Sequence, residues 1–131
     1  KPSAVAAYDA ETGEQLWVLD LEPYRHPAVM GDNERVLDRY ADVLSGKNPH
    51  NDNICLPDSC SQPVIGGDGT TYIGWQHGKV LAIRDANEDG RIEPHEVSAA
   101  DIGEGFQGSL ALAPGMLAAA PCGGGLFVYK G

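Results

Sequence analysis

The chain has 131 residues, 42% of them hydrophobic, enough to bury one core of ordinary domain size. Its 19 acidic against 9 basic residues leave a net charge of −10, which repels nucleic-acid phosphates and anionic membrane surfaces and suits cations or basic proteins. No run of about 18 apolar residues exists, so no helical membrane insertion is expected. The longest apolar stretch, residues 110–121, is broken by Pro114 and Gly115. The first residue is Lys, which leaves two readings open: a leader removed, or a piece of a longer chain.

In chain order, residues 5–9 and 15–21 read as two strands joined by the turn Glu11-Thr12-Gly13-Glu14, with Trp17 in the second. Residues 22–61 read as an insertion. Within it Asp32 or Asn33 caps a short helix whose Val36, Leu37, Tyr40, Val43 and Leu44 share one face and which ends near Gly46. The simpler expectation is that this helix packs on the sheets; the alternative is an interaction arm. Residues 48–53 read as polar loop. Three strands follow at 62–65, 71–75 and 79–84, punctuated by Gly67-Asp68-Gly69-Thr70 and His77-Gly78. A short exit segment, 97–102, meets Gly103 and Gly105, and three more strands are expected at 109–113, 116–122 and 126–130.

The second half repeats itself. Shifting residues 62–84 forward by 46 lays them on 108–130 without a gap, so that Val64 meets Leu110, Gly69 meets Gly115, Ile73 meets Ala119, Gly78 meets Gly124 and Ile83 meets Tyr129. Residues 5–9 echo 80–84, extending the pattern to the start. Periods of about 40–50 residues with short strands are what propeller blades show. The fold class expected is therefore mainly β, a partial β-propeller of about two to three blades with one short helical insertion. A closed propeller needs more, so the chain is read either as a single propeller-like domain over 1–131 whose open edges neighbouring chains cover, or as the C-terminal part of a larger propeller.

Residues 85–96 carry the chemistry. A hard cation such as Ca²⁺ takes about six to eight oxygens, and a twelve-residue loop of EF-hand type supplies them from positions 1, 3, 5, 7, 9 and 12. Those positions hold Asp85, Asn87, Asp89, Arg91 (through its backbone carbonyl), Glu93 and Glu96. Gly90 allows the sharp turn at position 6, and Ile92 points to the core. The four carboxylates at ligand positions, Asp85, Asp89, Glu93 and Glu96, crowded into twelve residues, repel unless a cation lies between them. Because the approach reads as a strand and the exit is short, no helix pair is present to open, and the loop is expected to be a structural clamp.

Ala7-Tyr8-Asp9-Ala10-Glu11-Thr12-Gly13-Glu14-Gln15-Leu16-Trp17 resembles the quinoprotein (pyrroloquinoline-quinone, PQQ-like) propeller repeat, Ala-x-Asp-x-x-Thr-Gly-x-x-x-Trp, at every signature position. Gly67-Asp68-Gly69-Thr70-Thr71-Tyr72-Ile73-Gly74 and Gly124-Gly125-Leu126-Phe127-Val128-Tyr129 resemble inner strands of the same family. With a calcium loop spliced between two strands, the chain is also similar to algal PQQ-like repeat proteins. The resemblance implies that Asp9 caps the hairpin turn and that Trp17 packs between neighbouring blades. Quinone binding is not carried over: the family's dehydrogenases use adjacent cysteines and dispersed calcium ligands, whereas this chain has no adjacent cysteines and its expected calcium ligands lie in one consecutive loop.

Cys55, Cys60 and Cys122 allow one disulfide, with Cys55–Cys122 favoured over the very small Cys55–Cys60 loop, which contains Pro57. A disulfide fits an extracytoplasmic space or an organelle lumen, such as the secretory route or a plastid lumen. His26, His50, His77 and His95 are scattered over loops without a nucleophile or acid partner in sequence, and Trp17 and Trp75 are expected to pack rather than stack on a cofactor. The sequence therefore points to a non-catalytic, calcium-binding accessory subunit whose partners are other protein chains, with a photosynthetic or other large membrane complex as one home the algal resemblance implies. A calcium sensor or buffer and a fragment of a quinoprotein dehydrogenase are the alternatives.

Overall fold

The computed structural model describes residues 3–48, 53–58 and 60–131. The chain is mainly β: among the described residues there are three small antiparallel sheets and one α-helix. The first sheet is a hairpin of β1 (Ser3–Tyr8) and β2 (Gln15–Leu21). Its turn is made by Asp9, whose carboxylate accepts the N–H groups of Glu11 (3.0 Å) and Thr12 (2.7 Å). Gly13 takes the positive φ (75°) that the reversal requires. The Thr12 N–H bond, foremost, holds the Asp9 carboxyl below its ordinary value.

The second sheet is a four-stranded meander of β3 (Val64–Ile65), β4 (Thr71–Trp75), β5 (Lys79–Ile83) and β6 (Val97–Asp101). The third joins β7 (Ala111–Ala113), β8 (Met116–Ala119) and β9 (Phe127–Lys130). The 46-residue repeat reappears as pairing. Tyr72↔Ala82 recurs as Ala118↔Val128, and Ile73↔Leu81 as Ala119↔Phe127. The correspondence slips at the preceding turn. Ile65↔Thr71 encloses the loop 66–70, whereas Ala113↔Met116 closes directly over Pro114 and Gly115. A shorter turn moves the register, and a one-residue shift changes which side chains face inward. No residue of β7 is buried, and none of β3 is.

The four-stranded sheet is the middle layer. On one face Ile73, Trp75, Leu81 and Ile83 pack with Trp17 and Leu21 of the hairpin. On the other, Val80 packs with Phe106, Leu110, Leu117 and Ala119. Period-two alternation along β4 and β5 produces these two apolar faces, and burial of the large side chains supplies most of the favourable free energy. Phe106, fully buried, lies in the β6–β7 connection and covers Gly74, where a Cβ would fall inside the aromatic ring.

The helix α1 spans Asn33–Leu44, close to where the sequence places it, with two differences. Asp32 makes no side-chain cap bond. Its buried carboxylate instead accepts the Cys55 N–H (2.7 Å) and lies 3.0 Å from the Arg35 guanidinium. The second difference is packing: of the apolar face only Val36 is buried, so the helix does not lie on the sheets as expected. What docks is the root of the insertion. Met30 N–H bonds the Gln76 carbonyl (2.9 Å), Gly105 N–H bonds the Met30 carbonyl (2.8 Å) and Val29 N–H bonds the Cys55 carbonyl (3.1 Å). With its backbone satisfied there, the segment sends the helix outward. Of the polar loop expected at 48–53, residues 49–52 lie outside the described residues, as does His50.

Candidate metal centre

The loop 85–96 joins two neighbouring antiparallel strands, β5 and β6, which flank it through the pair Ile83↔Val97. It leaves β5 as an Asx-rich turn. The Asp85 carboxylate accepts the N–H groups of Asp89 (3.2 Å) and Gly90 (2.9 Å), and the Asn87 side-chain oxygen also accepts from Asp89 (3.1 Å). Asp89 accepts from the N–H of Arg91 (2.9 Å). These bonds curl the chain so that Asp85, Asn87 and Asp89 are folded over the turn at Gly90, which has φ 79°. Glu88 also has a positive φ, 58°.

The return half is a 3₁₀ turn, Pro94–Glu96, rather than a helix. Glu93 and Glu96 cap it reciprocally, each side chain accepting a backbone N–H from the other. Glu96 is buried, and its two oxygens accept from the N–H groups of Ala86 (2.7 Å) and Glu93 (3.1 Å). One carboxylate therefore pins both ends of the loop. The backbone N–H groups of Glu93 and Ala86 hold its carboxyl below the ordinary value. The Glu93 carboxyl is held above its own, first by the hydrogen bond it shares with the Glu96 side chain, then by burial and by the negative charge of Asp89. Its second oxygen, Oε2, is buried with no hydrogen-bond partner.

Glu93, His95 and Glu96 bring ligand atoms within 4.8 Å of one another, and among the described residues they form the one such group of three. Asp85 and Asp89 are not drawn into it: both Asp85 oxygens accept backbone N–H groups, and Asp89 accepts the Arg91 N–H and the Asn87 side-chain amide. His95 stands at position 11 of the loop, to which the twelve-residue pattern assigns no ligand. His77 and His26 are elsewhere. His77 stacks on Trp75 with ring centroids 4.1 Å apart, and His26 lies against Tyr24. Burial holds the His77 imidazole below its ordinary value.

The donor set fits a hard cation: it is rich in carboxylate oxygens, it concentrates like charge, and it leaves one buried oxygen unpaired. The loop also touches the hairpin. Ile92 packs against the core that holds Trp17, and a cavity of about 530 Å³ lined by Leu16, Trp17, Asp85, Glu88 and Asp89 separates β2 from the turn. A Cβ at Gly90 would meet the Leu16 carbonyl oxygen at 3.1 Å. Gly90→Ala should therefore lower stability by about 1–2 kcal/mol, through positive-φ strain and this close approach. Urea unfolding of the two proteins at matched calcium would measure it, and an unchanged midpoint would contradict the turn geometry.

No known protein family, curated protein or solved structure matches the chain.

Proposed function

We propose that the chain is a calcium-stabilised, non-catalytic interaction module, an accessory subunit of a larger assembly built on propeller-type blades. The observation that carries the calcium reading is Glu96, a buried carboxylate that ties the start of an oxygen-rich loop to its end between two paired strands. Asp85, Asn87, Asp89, the Arg91 carbonyl, Glu93 and Glu96 would hold the ion. The ion would supply positive charge that offsets the crowded carboxylates. With no helix pair around it, such a loop fixes the β5–β6 connection and its contact with β2.

Two features support the blade reading: the four-stranded meander, and the following three strands that reproduce the β4–β5 pairing 46 residues on. Exposed apolar side chains on the third sheet, Leu112, Met116 and Val128, support neighbouring chains as partners. The disulfide supports an oxidising compartment.

Thermal unfolding against free calcium tests the site. At about 100 times the dissociation constant, linkage stabilises by about 2.7 kcal/mol, a rise in melting temperature of roughly 8–15 °C for a domain of this size. Glu96→Gln keeps an oxygen for the Ala86 N–H and should abolish most of that rise. No heat on titrating the intact chain with millimolar calcium, together with an unmoved melting temperature, would sink the proposal.

A further inference from the structure

We infer that the outward face of α1 is a docking helix for an apolar groove with a basic rim on another protein chain. Leu37, Tyr40, Val43 and Leu44 are 60, 64, 53 and 87% exposed, although α1 is amphipathic. At about 100° per residue, Leu37, Tyr40 and Leu44 fall within roughly 60° of arc, the i, i+3, i+7 spacing of helix-in-groove anchors. A stripe of this size is costly to leave wet, and the fold has committed only Val36 of this face to the interior.

The flank of the helix says what kind of groove fits. Glu34, Asp38 and Asp42 succeed one another at four-residue spacing and form an acidic ridge beside the stripe. Asp42 pairs with Lys47 at 3.4 Å, whereas Glu34 and Asp38 meet no basic side chain among the described residues. Lysines or arginines around the groove would complete these charges, and the net charge of −10 steers the chain to such a partner. The same ridge disfavours an anionic bilayer, whose surface helices carry basic flanks. It disfavours a second copy too, since both copies would bring the same excess of negative charge. The docked root of the insertion, held by Met30, Val29 and Asp32, presents the helix without involving it in the core.

This deepens the reading of the chain as an interaction module, and it can fail separately from the calcium site. The test uses the full chain carrying a photo-reactive benzophenone side chain at position 40, irradiated in extract of its native source, with a second preparation labelled at position 128 on the third sheet. The result expected is one basic protein cross-linked from position 40. Its affinity, measured after purification, should fall roughly 30-fold or more with Leu37→Asp/Leu44→Asp. It should fall several-fold at low salt with Glu34→Lys/Asp38→Lys, a difference that high salt removes. All four residues are exposed, so both variants should keep the wild-type melting temperature and its calcium response. The inference is overturned if position 40 cross-links nothing, or if the captured protein binds the Asp variant equally well. Sedimentation as a dimer lost with Leu37→Asp/Leu44→Asp, or binding to phosphatidylcholine–phosphatidylserine vesicles lost with that variant, would also overturn it. Cross-linking from position 128 alone would leave the interaction reading standing and remove the helix from it.

Discussion

Reducing the Cys55–Cys122 disulfide should remove about 4 kcal/mol of stability on the chain-entropy account, because the bridge closes a loop with a sequence separation of 67. Domains of this size are stable by only about 5–15 kcal/mol, so such a loss brings the chain close to unfolding at physiological temperature. The bridge acts where the native contacts are least able to compensate. Cys55 lies in the insertion and Cys122 between β8 and β9, and each is tied to the same junction. The Cys55 N–H reaches Asp32, and the Cys122 N–H reaches the Gly105 carbonyl at 2.8 Å. Without the bridge that junction rests on a handful of backbone bonds. Cys60 does not confuse the measurement: burial, then the Asp58 charge, pushes its thiol up to about 11, so it stays protonated and a poor nucleophile for exchange. Urea unfolding of the oxidised chain against Cys55→Ala/Cys122→Ala would read the difference. A loss under about 1 kcal/mol would mean that the unfolded chain is already compact around this junction.

Much of the β architecture is legible in the sequence because its signals are local. Thr71–Trp75 and Gln15–Leu21 are strands with the bounds that alternation and flanking glycines assign, and Asp9 caps its turn through bonds that span three residues at most. The disulfide was legible for a related reason, since a six-residue alternative containing Pro57 is a poor ring. Three things were not legible. The fate of the helix depends on whether another surface is available to meet its apolar face, which periodicity cannot report. Asp32 looks like a cap in sequence, yet Cys55, 23 residues away, claims its carboxylate. The loop 85–96 was legible as an oxygen-rich turn between two strands, but not the division of its polar side chains between the Asx turn at Asp85–Asp89 and the Glu93–His95–Glu96 group. Backbone N–H groups capture carboxylates on both sides of it, those of Asp89 and Gly90 on Asp85 and those of Ala86 and Glu93 on Glu96, and such pairings are set by how the loop closes rather than by spacing in the sequence.

Phe106→Ala should cost about 3–5 kcal/mol, the range for deleting a fully buried aromatic ring whose surroundings relax only in part. The upper part of that range is expected here because the cavity would open between two sheets already fixed by their own ladders, β4–β5 on one side and β8–β9 on the other. Gly74 supplies an internal check. Gly74→Ala in the wild-type background forces a methyl into the Phe106 ring and should destabilise by overpacking, by about 1–3 kcal/mol. In the Phe106→Ala background the same methyl enters the vacated space and the clash is gone. The double variant should then be more stable than the sum of the single losses by about 1 kcal/mol or more, as neighbours sharing one cavity behave. Equal additive losses would mean that Phe106 does not cover Gly74, and the layer between the middle and third sheets would have to be packed by another side chain.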